Sequence, residues 1–211
     1  MPPPVLAARV WLIRHGQSVW NVGGRWQGQA DPGLSELGHA QAERMGQRVA
    51  ALKPEHLYTS DLRRCRETAA PLGRALGKEA VQRTDLREID IGTWSGYTRA
   101  EIERMYPEDW ARWQAGEDFA RGGGESFADL TVRATSALGE LLAAHDGEDL
   151  AIVTHGGWIR CVVAAALGLA APLTPTLGGA GNASITTLRV FDGGLRLEAF
   201  NDAGHLDGLV S

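Results

Sequence analysis

The stretch Val10-Trp11-Leu12-Ile13-Arg14-His15-Gly16 decides the fold. Bulky apolar residues run without polar alternation, then stop at an arginine, a histidine and a glycine. Such a run predicts a strand buried on both faces of a sheet. Arg14 and His15 then stand at its carboxyl end, where open α/β sheets place their ligands. Gly16 lets the chain turn away and lets a ligand approach the backbone. The same grammar returns in Leu150-Ala151-Ile152-Val153-Thr154-His155-Gly156-Gly157. The expectation is that two strands deliver His15 and His155 to one edge of one sheet.

Working outward, residues 17–33 form a long stretch without periodicity, rich in glycine, glutamine and tryptophan. Loops of this length in compact domains are usually functional. Ser35 reads as the N-cap of a helix to about residue 52, ended by Pro54. Residues 56–59 read as a strand. Ser60 or Asp61 is expected to cap the next helix, to about residue 76, and Pro71 to bend or break it. A short strand at 80–83, a loop at 86–96 and a helix at 98–115 interrupted near Pro107 follow. Gly122-Gly123-Gly124 reads as a hinge, and Ser126 with Asp129 as a capping box opening a helix to about residue 144. A helix at 158–167 and strands at 184–191 and 195–200 close the chain, with Asp192-Gly193-Gly194 as a hairpin signal. The pattern predicts a single α/β domain: a three-layer sandwich with a mostly parallel central sheet, helices on both faces and a C-terminal hairpin.

A net charge of −5 over 211 residues argues against non-specific binding to nucleic acid or a membrane surface. Any positive field for an anionic ligand must therefore be local. Cys65 and Cys161 give neither a disulfide framework nor metal-ligand spacing and read as buried thiols. Met1-Pro2-Pro3-Pro4 reads as a short stiff tail rather than a signal peptide. The apolar stretch near 162–171 is too short to span a membrane. A cytoplasmic protein without metal or cofactor is expected.

A guanidinium binds phosphate oxygens bidentately, and neutral imidazole is a competent nucleophile. Alone, Arg14 and His15 suit a salt bridge and a strand cap equally well. Their company changes this. Asn21 offers a neutral donor for a phosphoryl oxygen. Arg64, one turn into a helix after a short strand, points back toward the sheet edge, whereas Arg63 and Arg66 read as a solvated face. Gly156 and Gly157 open a helix whose free N–H groups suit an anion. Glu88 sits among apolar loop residues, where partial desolvation would raise its pKa and make it a proton donor. Asp85 and Asp90 are the neighbouring alternatives, read as solvated or capping.

Arg14-His15-Gly16-Gln17-Ser18 with Asn21 resembles the signature of the histidine phosphatase (phosphoglycerate mutase-like) superfamily. The resemblance continues through Arg25-Trp26-Gln27-Gly28, Ser60-Asp61-Leu62-Arg63-Arg64-Cys65, Leu86-Arg87-Glu88, Gly123-Gly124-Glu125-Ser126 and Thr154-His155-Gly156-Gly157. It implies that His15 becomes phosphohistidine. It also implies that Arg14, Arg64, Asn21 and a protonated His155 clamp the phosphoryl group, and that Glu88 protonates the leaving oxygen and later activates water. Gln27, Gly28, Arg99 and Gly156 are carried over as phosphate or substrate contacts, and residues 98–124 as a helical insertion over the active site. The implied partner is a small phosphomonoester, and a homodimer is common in the family.

Cofactor-dependent phosphoglycerate mutases of the same family carry an adjacent arginine pair in a longer insertion. Here Trp110-Ala111-Arg112-Trp113-Gln114 lacks the pair and Ile91 replaces the tyrosine usual after the glutamate, while Arg99 falls where mutases have a lysine and is expected to keep one carboxylate-binding contact. A phosphatase is therefore expected ahead of a mutase. Asn21-Val22-Gly23 and residues 177–184 resemble the glucosyl-3-phosphoglycerate phosphatases. A non-catalytic phospho-ligand binding module is the alternative from another class, disfavoured because binding alone needs neither His15 nor Glu88. Trp20, Trp26, Trp110 and Trp113 suit either the core or a leaving-group pocket. Asn182-Ala183-Ser184 matches a glycosylation pattern but is expected unmodified.

Overall fold

The computed structural model describes residues 8–169, 177–191 and 194–209. The proline tail and the first two residues of the hairpin signal, Asp192 and Gly193, lie outside the described residues, as do residues 170 and 171 of the apolar stretch. The elements in chain order are β1 (Arg9–Arg14), α1 (Val19–Val22), α2 (Glu36–Ala50), β2 (His56–Ser60), α3 (Arg63–Leu76), β3 (Val81–Arg83), α4 (Arg99–Met105), α5 (Pro107–Gln114), α6 (Phe127–Ala144), β4 (Leu150–Thr154), α7 (Gly156–Ala166), β5 (Ile185–Phe191) and β6 (Gly194–Asp202). Among the described residues the strands form one sheet in the order β3-β2-β4-β1-β5-β6. The first four are parallel and the last two are antiparallel. The expected α/β sandwich with its closing hairpin is the fold observed.

Alternation along β1 explains why it reads as continuously apolar. Val10 and Leu12 face a core shared with α6 and α7, including Leu138, Leu141, Ile159 and Val162. Trp11 and Ile13 face a second core with Met45 and Val49 of α2 and Leu72 of α3. A strand covered by helices on both faces needs no polar side. Register then places the chemistry. Arg14 pairs with Thr154 across β1 and β4, so the next residues, His15 and His155, leave the sheet side by side. The His15 N–H donates to the Thr154 carbonyl at 2.9 Å.

Local details depart from the sequence reading in four places. Residues 17–33 contain the short α1, capped by a reciprocal box between Ser18 and Asn21. The N-cap of α3 is Leu62, not Ser60 or Asp61. The side chain of Asp31, from the preceding loop, takes the free N–H of Arg63, a long-range cap that a local pattern cannot show. Helix α3 runs through Pro71 without a break. Pro71 is buried against Gly46 of α2, where a Cβ would lie 3.0 Å from the proline ring, so packing between α2 and α3 outweighs the lost hydrogen bond. Gly122 and Gly124 are not a free hinge. They dock on the 90–93 loop so closely that a Cβ on Gly92 would fall 2.0 Å from the Gly122 carbonyl oxygen.

A similar backbone contact anchors the sheet edge that carries His15. A Cβ on Gly38, in the first turn of α2, would lie 2.0 Å from the Gln17 carbonyl oxygen, and one on Gly16 would lie 2.6 Å from that of Gly38. Alanine gains helix propensity over glycine, but here it must push backbone. Gly38→Ala is expected to lower stability by about 1–3 kcal/mol in urea unfolding. A variant as stable as the parent would show that the loop after His15 does not rest on α2.

Among the described residues no helix is long and apolar enough to cross a membrane.

Candidate active site

A cavity of about 230 Å³ opens at the carboxyl ends of β1 and β4. Arg14, His15, Asn21, Gln27, Gly28, Arg64, Glu88 and Gly157 line it, which brings together residues from five separate sequence blocks. A larger groove of about 560 Å³ beside α3, near Arg66, Arg74 and Lys78, brings no such groups together.

The two imidazole rings lie edge to face, with centroids 5.3 Å apart. The Nδ1–H of His15 donates to the Gly16 carbonyl at 2.7 Å, which leaves the Nε2 lone pair for the cavity. The Gly16 turn is tied to α3, since its N–H donates to Thr68 Oγ1 and that hydroxyl donates to the Arg64 carbonyl. On the other side, the Ala183 N–H and the Asn182 amide both donate to the His15 carbonyl at 3.1 Å.

Arg64 is fully buried and held at three points. Its guanidinium donates to the carbonyls of Ala30 and Gly28 and to Nδ1 of His155 at 3.1 Å. Gly28 can supply its carbonyl because it adopts a φ of 50°, a left-handed conformation suited to glycine. Arg14 donates to the Ala180 carbonyl at 2.6 Å. Burial lowers the pKa of both guanidinium groups, yet arginine stays charged in proteins. Two cations therefore face the same small space.

Burial and that charge together act on the histidines. Burial, and then the positive charges of Arg64 and Arg14, holds His15 well below the ordinary histidine pKa. Burial and Arg64, followed by His15 and Arg14, do the same to His155. With Nδ1 accepting from Arg64, Nε2 of His155 carries the proton and donates to Ser60 Oγ at 2.9 Å. The expectation of a protonated His155 is thus corrected: the ring is neutral and acts as an N–H donor. A sign follows for stability. Unfolded rings bind protons below about pH 6.5 while the folded ones do not, so the unfolded state gains as the pH falls. Their contribution is complete above that pH and declines by about 1 kcal/mol per pH unit for each ring toward pH 5. Urea unfolding should show this slope, and His155→Gln should flatten it. An unchanged slope in the variant would contradict a neutral buried His155.

Glu88 reaches the cavity from the loop after the turn Thr84–Leu86. Its Oε1 accepts from the Ile89 N–H at 3.0 Å and its Oε2 from the Gly157 N–H at 3.1 Å. The N-terminus of α7 therefore already holds a protein carboxylate. A Cβ at Gly157 would fall 2.2 Å from Oε1, so any larger residue there would push the Glu88 carboxylate aside. Asp85 pairs with Arg83, and Asp90 accepts from the Gly92 N–H, in the supporting roles expected of them.

Other expected contacts divide. Asn21 Oδ1 is spent on the α1 capping box and on Asn182, leaving its amide hydrogens as donors. Gln27 Oε1 accepts from Ser18 Oγ. Gly156 lies beneath Arg14, where a Cβ would touch the guanidinium at 3.4 Å. Arg99 is not brought to the cavity, because its guanidinium stacks on Trp110 at 5.1 Å. Of the four tryptophans, Trp26 lines the cavity, and it packs against Trp94, Trp110 and Trp113. Cys65 and Cys161 are both buried free thiols.

Three participants escaped the sequence reading. Arg133 on α6 donates to the carbonyls of Asp85, Arg87 and Glu88 and pairs with Glu125 at 2.8 Å, which fixes the Glu88 loop. Asn182, read as part of a glycosylation pattern and of the resemblance at 177–184 but given no role in the site, braces His15. Arg121 lines the cavity although it is only 5% exposed. A lone arginine beside a glycine run carries no local signal, and only the tertiary structure reveals these roles.

Comparison with known proteins agrees with this geometry. The family model described as histidine phosphatase superfamily (branch 1) matches residues 10–203. The glucosyl-3-phosphoglycerate phosphatase of Mycobacterium tuberculosis is 40% identical over 190 residues, covering 86% of this chain and 85% of that protein. A metal-independent phosphoserine phosphatase of Arabidopsis thaliana is 31% identical over 202 residues, covering 94% and 83%. A solved structure of mycobacterial glucosyl-3-phosphoglycerate phosphatase complexed with VO3 superposes with a TM-score of 0.86 at 38% identity, covering 93% of this chain and 100% of that one. With two histidines and two arginines converging on one sheet edge, and with most of its length matched, this chain belongs to the histidine phosphatase superfamily, branch 1.

Proposed function

We propose that the chain is a metal-independent phosphomonoesterase that hydrolyses small phosphorylated metabolites through a phosphohistidine on His15. The observation that carries this reading is the His15 ring, with its Nδ1–H on the Gly16 carbonyl, its Nε2 free and His155 5.3 Å away, set between the half-buried Arg14 and the buried Arg64. In this reading His15 Nε2 attacks phosphorus, the N–P bond forms and the P–O bond to the alcohol breaks. Glu88 delivers a proton to the departing oxygen. Glu88 then takes a proton from water as water attacks the phosphohistidine, releasing inorganic phosphate and restoring the ring.

Arg14 and Arg64 neutralise the equatorial oxygens, and the Asn21 amide and the His155 Nε2–H add donors once Ser60 yields its place. Phosphoryl transfer asks mainly for such positioning and charge stabilisation. Gln27 and Gly28 border the phosphoryl position. The insertion at 98–124 closes the cavity on the leaving-group side, and the whole chain acts as one domain. The relatives named for glucosyl-3-phosphoglycerate and phosphoserine support a small ester as substrate, and a cytoplasmic enzyme fits such metabolites.

The test is phosphate release from a panel of phosphorylated metabolites with a chelator present throughout. Release that survives chelation is expected. No release, or release abolished by chelator, would overturn the reading. Offering 3-phosphoglycerate with and without 2,3-bisphosphoglycerate separates hydrolysis from isomerisation.

A further inference from the structure

At the other end of the sheet from the cavity, three side chains able to hold a metal ion meet. His56 opens β2 and lies in register with Leu150, the first residue of β4. Residues 145–148 make a tight turn after α6. The Glu148 N–H donates to the His145 carbonyl at 3.1 Å, and Gly147 supplies the φ of 79° at the third position of the turn. The ends of such a turn lie close, and His145 Nδ1 is 3.3 Å from Glu148 Oε2. His56 Nε2 lies 2.7 Å from the same oxygen. Its backbone is tied to the turn as well, since the N–H groups of Glu55 and His56 both donate to the Asp149 carbonyl. The three ligand atoms all lie within 4.8 Å of one another.

The surroundings prepare His145 as a ligand. Alternation along β2 puts Tyr58 on the same face as His56, and its hydroxyl meets His145 Nε2 at 2.6 Å. Metal-bound histidines have their far nitrogen held in this way. When Nε2–H donates to the Tyr58 oxygen, the Nδ1 lone pair faces the Glu148 carboxylate, and the two repel. Protonating both rings gives no relief, because they are stacked with centroids 3.6 Å apart and like charges at that distance repel. A divalent cation accepts both lone pairs and the carboxylate at once.

We propose that His56 Nε2, His145 Nδ1 and Glu148 Oε2 form a binding site for zinc(II), with water as the fourth ligand. Two imidazoles and a carboxylate suit this borderline ion, whereas magnesium and calcium favour oxygen ligands alone. Zinc bonds of about 2.0–2.2 Å set tetrahedral ligand atoms about 3.4 Å apart, close to the spacing found. The rings, at 28° to each other, open slightly so that both lone pairs converge on the ion. The ion clamps the start of β2 to the turn between α6 and β4. Its effect falls on stability and leaves the chemistry at His15 alone, so the site stands or fails independently of the phosphomonoesterase reading.

The experiment is thermal unfolding of the full chain, stripped with chelator and dialysed, with zinc, magnesium or calcium chloride added. Zinc at about 100 times its calorimetric Kd is expected to raise Tm by about 5–10 °C, while magnesium and calcium leave it unchanged. His56→Gln and Glu148→Gln should each remove most of that rise. His15→Asn should keep it, which places the ion outside the cavity. Cobalt(II) on the unmodified chain gives a second readout that needs no variant to fold: one equivalent should show the intense visible bands of a four-coordinate ion. No rise with zinc, a rise that survives in both His56→Gln and Glu148→Gln, or one lost in His15→Asn would overturn the site. So would a cobalt spectrum as weak as that of the hydrated ion.

Discussion

Replacing His15 with asparagine should lower hydrolysis of every phosphomonoester by about 10⁴-fold or more, with KM for the same esters changed far less. Asparagine can keep the donation to the Gly16 carbonyl that fixes the ring, so the turn and the neighbouring arginines stay in place. It cannot form the N–P bond. Every ester passes through that bond, so the loss should be independent of the leaving group. Steady-state kinetics on an aryl phosphate and an alkyl phosphate checks this. A loss confined to one of them would show that His15 positions substrate and does not attack it.

Glu88→Gln should behave differently. General acid catalysis is worth about 10²–10⁴ in rate, and its value rises with the basicity of the departing oxygen. Alkyl esters should therefore lose close to the full factor. An activated aryl ester, whose oxygen leaves without a proton, should lose much less in the first step. The glutamine amide can still accept from the Gly157 N–H, so the helix terminus stays satisfied. Gly157→Ala should imitate the effect with the glutamate retained, since the added methyl displaces the carboxylate from where Oε1 now sits. Equal losses for alkyl and aryl esters would remove Glu88 from the acid role.

The two strand ends were legible because their signal is local. An apolar run buried on both faces must end where the sheet ends, and a histidine and glycine at that point have few structural reasons to be there. Register then does the rest, carrying Arg14 and Thr154 into pairing and the histidines into contact. Arg64 was legible for the same reason, one turn beyond a strand end. What stayed hidden depends on distant partners. Asp31 capping α3, Pro71 accommodated by Gly46, and Arg133 and Glu125 bracing the Glu88 loop are all contacts between separate elements. The charge of His155 was misjudged because burial and Arg64 act on it only in the assembled site. Arg99 went the other way: its position in the chain suggested a ligand, and an indole of the insertion took it instead.

The most direct measurement is acid-free rapid quenching of the wild-type protein during turnover of a ³²P-labelled ester, followed by peptide mapping. Label that is stable in base, lost in acid and located on residue 15 is predicted, with none on the His15→Asn protein. Steady turnover with no protein-bound label at any time, or label on His155, would contradict a phosphoryl group passing through His15.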